Sequence, residues 1–213
     1  MKLKKLLTAM VVAGAAVSAH AGTVLNENFD NVAGLGAAGW AQVSSGTGPG
    51  SGWFQGNAGI FPAASGASNS YAAANFVDAP GAPASIADWL MTPVLSLADS
   101  MTMQFMLRLL GDGFLDTVDV YVSTSGASTA TGDFTRLATF SSSADTGWAA
   151  QSVALSGVGS GASGRLAFRY FVADTRVDGN YAGVDSLSVV PEPASLALVS
   201  LALAGAFAAR RRA

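Results

Sequence analysis

Two acids stand out of place among their neighbours. Glu27 shares the alternation of Leu25 and Phe29, and Asp185 that of Leu187 and Val189, so both carboxylates fall on stripes that read as core-facing. A bare carboxylate is too costly to bury; on such a stripe it must be hydrogen-bonded, protonated or on a metal. With Asp30 and a backbone carbonyl or Asn69 nearby, Glu27 and Asp185 make an expected structural Ca²⁺ site that ties the first strand to the last, because a hard cation takes oxygen ligands. The alternative is that the two acids accept backbone or Arg169 hydrogen bonds, or end their strands in water.

Other residues carry chemistry less sharply. Asp112, Asp116 and Asp119 crowd one turn and the strand after it, as a calcium loop, a catalytic pair or, more plainly, turn formers and a solvated strand face. Trp40, Trp53, Trp89 and Trp148 can stack on sugar rings, with Trp40 and Trp53 the pair expected to contact a glycan. As large apolar fillers, at least three of the four tryptophans belong in the core. Arg165 and Arg169 suit an acidic sugar, or an ordinary salt bridge to a nearby Asp.

The composition excludes more than it offers. Met1 to Ala21 reads as a secretory signal peptide: Lys2, Lys4 and Lys5, an apolar run from Leu6 to Val17, and Ala19-His20-Ala21 as the small-x-small exit. The secretion translocon and signal peptidase are the partners this implies, with cleavage after Ala21. The only histidine leaves with that segment, every lysine lies in it, and cysteine is absent. Ser/His/Asp and Cys/His nucleophiles, His or Cys zinc sites, disulfides and Schiff bases are therefore excluded. A carboxylate pair of the glycosidase type stays open. From Gly22 to Val189 five arginines face thirteen acids, a formal charge of −8. That balance argues against nucleic acid and anionic lipid, and tolerates divalent cations.

The elements that must position these residues are strands. Period-two runs recur between clusters of Gly, Ser, Ala and Asp, with no convincing helical spacing, and residues 22–189 are enough for one core. Met101 to Leu109 is the clearest strand and should be central; Val118, Val120 and Val122, then Leu166, Phe168, Tyr170 and Val172, are each in phase. Pro93, behind Trp89-Leu90-Met91-Thr92, implies an edge or a bend. The expected class is all-β, a single jelly-roll-like antiparallel β-sandwich.

The last two dozen residues are of another kind. Pro191-Glu192-Pro193 stops any regular element, and an apolar run to Ala209 precedes Arg210, Arg211, Arg212 and Ala213. As a helix, Ala194 to Ala209 rises roughly 24 Å, slightly short of the ~30 Å hydrocarbon core, and the arginines hold its end in the cytoplasm. The body of the chain is then expected outside, anchored at least transiently by this transmembrane helix. The order of these three parts resembles the PEP-CTERM sorting signal of Gram-negative bacteria that make exopolysaccharide. That resemblance implies recognition of Pro191, Glu192 and Pro193 by an exosortase, a membrane transpeptidase-like enzyme.

A second resemblance spans the domain. Asn26-Glu27-Asn28-Phe29-Asp30, Gly39-Trp40, Trp53, Asp88 to Pro93, Val118 to Ser123, Trp148, Phe168-Arg169-Tyr170 and Tyr181 to Val189 are similar, in order, to the choice-of-anchor J family, which is related to cleaved-adhesin and MAM-like domains. Ser186 departs from it, standing where the family often has a second acid. The resemblance implies an extracellular, jelly-roll-like module without a general enzymatic activity. The expected protein crosses the inner membrane to the cell surface or extracellular matrix and is structural or adhesive there, in contact with exopolysaccharide. A glycoside hydrolase or a dedicated carbohydrate-binding module is the alternative.

Overall fold

The computed structural model of the protein describes residues 24–45, 52–78 and 85–191. The signal peptide read over 1–21, Glu192, Pro193, the apolar tail helix and Arg210, Arg211 and Arg212 lie outside those residues. Among the described residues no helix is long and apolar enough to cross a membrane. Residues 22–192 cluster as one compact unit.

The period-two runs become β1 (Leu25–Glu27), β2 (Ala41–Val43), β3 (Phe54–Gln55), β4 (Ala72–Asn75), β5 (Ile86–Met91) and β6 (Leu95–Ala98). Then come β7 (Met101–Leu109), β8 (Asp116–Ser123), β9 (Thr135–Ser142), β10 (Ala149–Ala154), β11 (Ser160–Val172) and β12 (Tyr181–Pro191). One sheet runs β10-β7-β12-β4-β3 with β1 also on β12, and the other runs β2-β5-β11-β8-β9 with β6 also on β11. All pairs are antiparallel, as the sandwich class requires.

The inward stripes read from the sequence meet between the sheets. Met103, Phe105, Leu107 and Leu109 of β7 pack with Val118, Val120 and Val122 of β8 and with Leu166, Phe168, Tyr170 and Val172 of β11. Full burial of such a side chain contributes about 1.5–3 kcal/mol. With no disulfide available, that burial closes the fold. β7 is interior but not central: β12 takes the middle place, with β7 on one side and β4 and β1 in succession on the other. β11 is served the same way by β5 and then β6, and Pro93 sits in the break between them. Thr92 N–H still donates to Leu166 O, so the chain bends without leaving the sheet.

Two elements have no hydrophobic period to announce them. The 3₁₀ segment Val32–Ala38 starts behind Asn31, whose side chain accepts Gly34 N–H, and stops at Gly39 with φ 87°. The first residues of β11, Ser160 to Gly164, are small throughout.

Each outer face carries a small aromatic cluster. Phe61, Tyr71, Ala73 and Tyr181, with Phe54 and Trp148, cover part of the β12 sheet under segment 56–71. Trp89, Met91, Tyr121, Phe134 and Ala167 cover part of the β11 sheet. A guanidinium caps each: Arg108 lies 4.3 Å from the Phe61 ring, and Arg169 lies 4.7 Å from Phe171 and 5.1 Å from Tyr121.

Candidate functional site

β12 pairs with β4 over 181–184 and with β1 over 187–189, so Asp185 and Ser186 fall in the gap between two ladders. Against β7 the register slips between Asp185 and Ser188, and Ser186 takes φ 51°. This bulge corrects the phase inferred from alternation. Ala182 and Val184 face the core before it, Leu187 and Val189 after it, and Asp185 turns instead to the outer face beneath segment 56–71. It is fully buried there. Its Oδ2 accepts Ser65 N–H at 3.0 Å, and Oδ1 accepts Ser186 N–H and the Ser186 hydroxyl. Burial raises this carboxyl above its ordinary range, and the N–H donors of Ser65 and Ser186 pull it back.

The other expected calcium ligands lie around the same turn. A Cβ on Gly66 would stand 3.5 Å from Asp30 Oδ1, so Asp30 flanks the turn that Asp185 holds through Ser65. Glu27, on β1, accepts Phe29 N–H at 2.8 Å, and Phe29 takes φ 56°. Gln55 joins the parts: Nε2 donates to Phe29 O and Asn69 O, and Oε1 accepts Val32 N–H. Among the described residues no group of three or more Asp, Glu or His side chains stands close enough to hold a metal through those groups alone. A cation here would need backbone carbonyls to complete its shell.

Trp40 and Trp53 also come together. They line a cleft of about 460 Å³ with Val32, Leu35, Gln42 and Phe54, at the seam between edge strands β2 and β3. The expectation of two rings offered to a sugar needs correction, because Trp40 is only 5% and Trp53 3% exposed. Phe29 packs edge-on to Trp40 at 5.6 Å, Phe168 lies 6.2 Å from Trp53, and Trp53 Nε1 donates to Asp88 O at 2.9 Å. Both rings belong to the core, and only their rims reach the cleft. Gln42 Oε1 fixes the far wall by accepting Trp53 N–H at 2.8 Å.

The solvated face expected for Asp116 and Asp119 is a second correction, since both are buried. Asp116 accepts N–H from Gly111 (2.9 Å) and Asn180 (2.7 Å), and the Tyr170 hydroxyl (2.7 Å). It braces the 111–115 turn against the start of β12, and burial raises its carboxyl despite these donors. Asp119 pairs with Arg169, the salt bridge the sequence suggests, and accepts Thr139 Oγ1–H. Arg165 instead donates to the Gly39 and Thr92 carbonyls. Only Asp112 is an exposed turn former, with φ 53°. The burial of Asp116 is hidden in the sequence because two of its partners, Tyr170 on β11 and Asn180 in the β11–β12 connection, lie more than fifty residues away.

Comparison with known proteins decides the tail. Residues 189–212 match the PEP-CTERM protein-sorting motif. The chain thus carries a PEP-CTERM sorting motif at that place. The motif begins inside the last strand, since Val189, Val190 and Pro191 are still paired in register with Met103, Thr102 and Met101. Such a motif marks an exported, cell-surface-associated protein and implies recognition by an exosortase. No curated protein matches the chain. Among solved structures, the K1 cleaved adhesin domain of Lys-gingipain from Porphyromonas gingivalis W83 superposes with TM-score 0.60 at 24% identity, over 79% of this chain and 98% of that one. The K3 cleaved adhesin domain of the same protein gives 0.57 at 21%, over 80% and 99%. A xylan-binding module gives 0.50 at 6%, over 81% and 97%. The sandwich thus has the fold of cleaved adhesin domains.

Proposed function

We propose that the chain is a non-enzymatic adhesive or structural protein of the surface or extracellular matrix of a Gram-negative bacterium, sorted by an exosortase and in weak contact with exopolysaccharide. The observation that carries this reading is a sorting motif fused, with no spacer, to the central strand of an adhesin-like sandwich. The site of glycan contact is the Trp40–Trp53 cleft, whose rims and amides are uncharged and suit a neutral sugar. The carboxylate glycosidase is disfavoured there: no acid is among the described residues of its lining, whereas that chemistry needs two. Similarity to a xylan-binding module supports the architecture of this reading and not its ligand.

A structural Ca²⁺ belongs to the same proposal. Asp185 would hold it from β12 with backbone carbonyls completing the shell, since Asp185, Asp30 and Glu27 do not converge as a three-carboxylate group among the described residues. Support comes from a fully buried carboxylate that has N–H donors and, among the described residues, no cation within salt-bridge reach.

Binding of the purified domain to immobilised host polysaccharide and neutral plant glycans tests the glycan contact. Ala33 is exposed on the cleft wall, so Ala33→Trp should fill the cleft and abolish retention without touching the core. Retention unaffected by that substitution, or a domain that binds nothing, removes the glycan contact and leaves the structural role.

A further inference from the structure

The outer face of the β12 sheet has two halves. Segment 56–71 lies over the half where β12 pairs with β4, held there through Asp185 and Trp148. In the other half, where β12 pairs with β1, one row of side chains runs straight across four strands. Ser152 of β10 is opposite Gln104 of β7, Gln104 is opposite Ser188 of β12, and Ser188 is opposite Asn26 of β1. Their neighbours Val153, Met103, Phe105, Leu187 and Val189 belong to the core, so the row points outward. Asn26, Gln104 and Ser152 are exposed and Ser188 is half-buried. At the usual strand spacing the row is roughly 14 Å long. Gln104, Ser152 and Ser188 line a hollow of about 380 Å³, which Met106, Ala150 and Ser186 help to floor.

We propose that this row is a second contact for a neutral polysaccharide, an inference that rests on the glycan-binding reading of the Trp40–Trp53 cleft. The chemistry of the row selects the ligand. None of the described residues lining the hollow is charged, so neither an acidic nor a basic ligand gains there. Every member of the row is a hydroxyl or a carboxamide, able to donate and to accept, and a sugar hydroxyl needs both. Among the described residues none of these four side chains has a hydrogen-bond partner, so their polar atoms are free for a ligand. Strand preference does not account for them, because none is β-branched or aromatic. A peptide adding as a strand finds no backbone edge, since β7 and β12 are paired on both sides. Hydrogen bonds that replace water contribute little each, so the row alone holds a sugar weakly. A polysaccharide, however, repeats its epitope. A chain held in the cleft offers further units to the row at high effective concentration.

Titration of residues 22–192, one compact unit, with host exopolysaccharide, xylan and glucan tests this, each offered as intact polymer and as short oligosaccharides. Gln104 and Ser152 are exposed, so the double variant Gln104→Ala, Ser152→Ala keeps the fold. Its affinity for the polymer should fall by about tenfold, while its affinity for the oligosaccharide stays that of the wild type. The second reading also shows that the variant is folded. Ala33→Trp should abolish binding of both forms, because the cleft makes the first contact. Polymer affinity indifferent to the double variant overturns the second contact and leaves the cleft standing. An equal fall for both forms overturns it too, since the row would then belong to the first contact. A wild-type domain that binds neither form removes the glycan reading itself, and the row with it.

Discussion

At the scale of the residue, Asp185 shows what an out-of-phase acid means and where the inference from phase stops. Alternation with Leu187 and Val189 flags it, and it is indeed buried with its oxygens bonded. Phase alone misreads the face because one bulged residue, Ser186 at φ 51°, reverses the parity of a strand and leaves no mark in the residue types. Because burial raises the Asp185 carboxyl, the folded chain holds that proton more tightly than the unfolded one. Its stabilising contribution is therefore full below the ordinary aspartate value and is lost as pH rises through the raised value. Denaturant unfolding across that pH range should show this decline, and Asp185→Asn should flatten it. If the proposed calcium binds, it offsets the loss at neutral pH: added calcium raises the melting temperature, EDTA reverses the rise, and neither acts on Asp185→Asn. A wild-type melt indifferent to both would leave Asp185 as an acceptor of N–H groups alone.

At the scale of the element, strands with a clean apolar stripe are legible in the sequence, and segments made of small residues are not. Met101 to Leu109 keeps the boundaries read from its pattern because five large side chains fix its phase. Ser160 to Gly164 and the 3₁₀ turn carry no such stripe, and tertiary packing alone shapes them. Segment 56–71 is the instructive case. It has almost no regular structure, yet it covers Asp185 and one aromatic cluster. Trp148 reaches it from the start of β10, donating Nε1–H to Pro62 O at 2.8 Å and meeting Phe61 edge-on at 5.5 Å. Phe61 in turn stacks on Tyr71 at 5.1 Å. Residue type alone assigns most tryptophans to a core, but not to a cluster outside the sandwich that pins a loop. Trp148→Ala should cost about 2–3 kcal/mol of unfolding free energy, less than a fully buried tryptophan. Limited proteolysis should then cut first within 56–71. Cleavage elsewhere, with that segment still protected, would show that the clamp does not depend on Trp148.

At the scale of the whole molecule, fold and address are encoded in different ways and meet at one residue. The sandwich is spread over the chain as alternation, with order and register supplied by contacts such as β1 and β4 along β12, which no local pattern states. The address is concentrated in residues 189–212 as a short motif, which is why it is readable from residue types in order. Pro191 belongs to both: it ends β12 opposite Met101 and opens the Pro-Glu-Pro triplet. Having no N–H, it donates nothing to the ladder there. Removing residues 192–213 should therefore leave the core intact, with a cooperative melt at an unchanged midpoint for the domain ending at Pro191. In the native host the same truncation should move the protein from the cell surface or matrix into the medium, since only the address is lost. Fractionation with antibody to the domain reads the second effect, and circular dichroism the first. A truncated chain that melts early would mean that the tail also supports the sandwich. One that folds normally but stays with the cells would mean that retention comes from the domain itself.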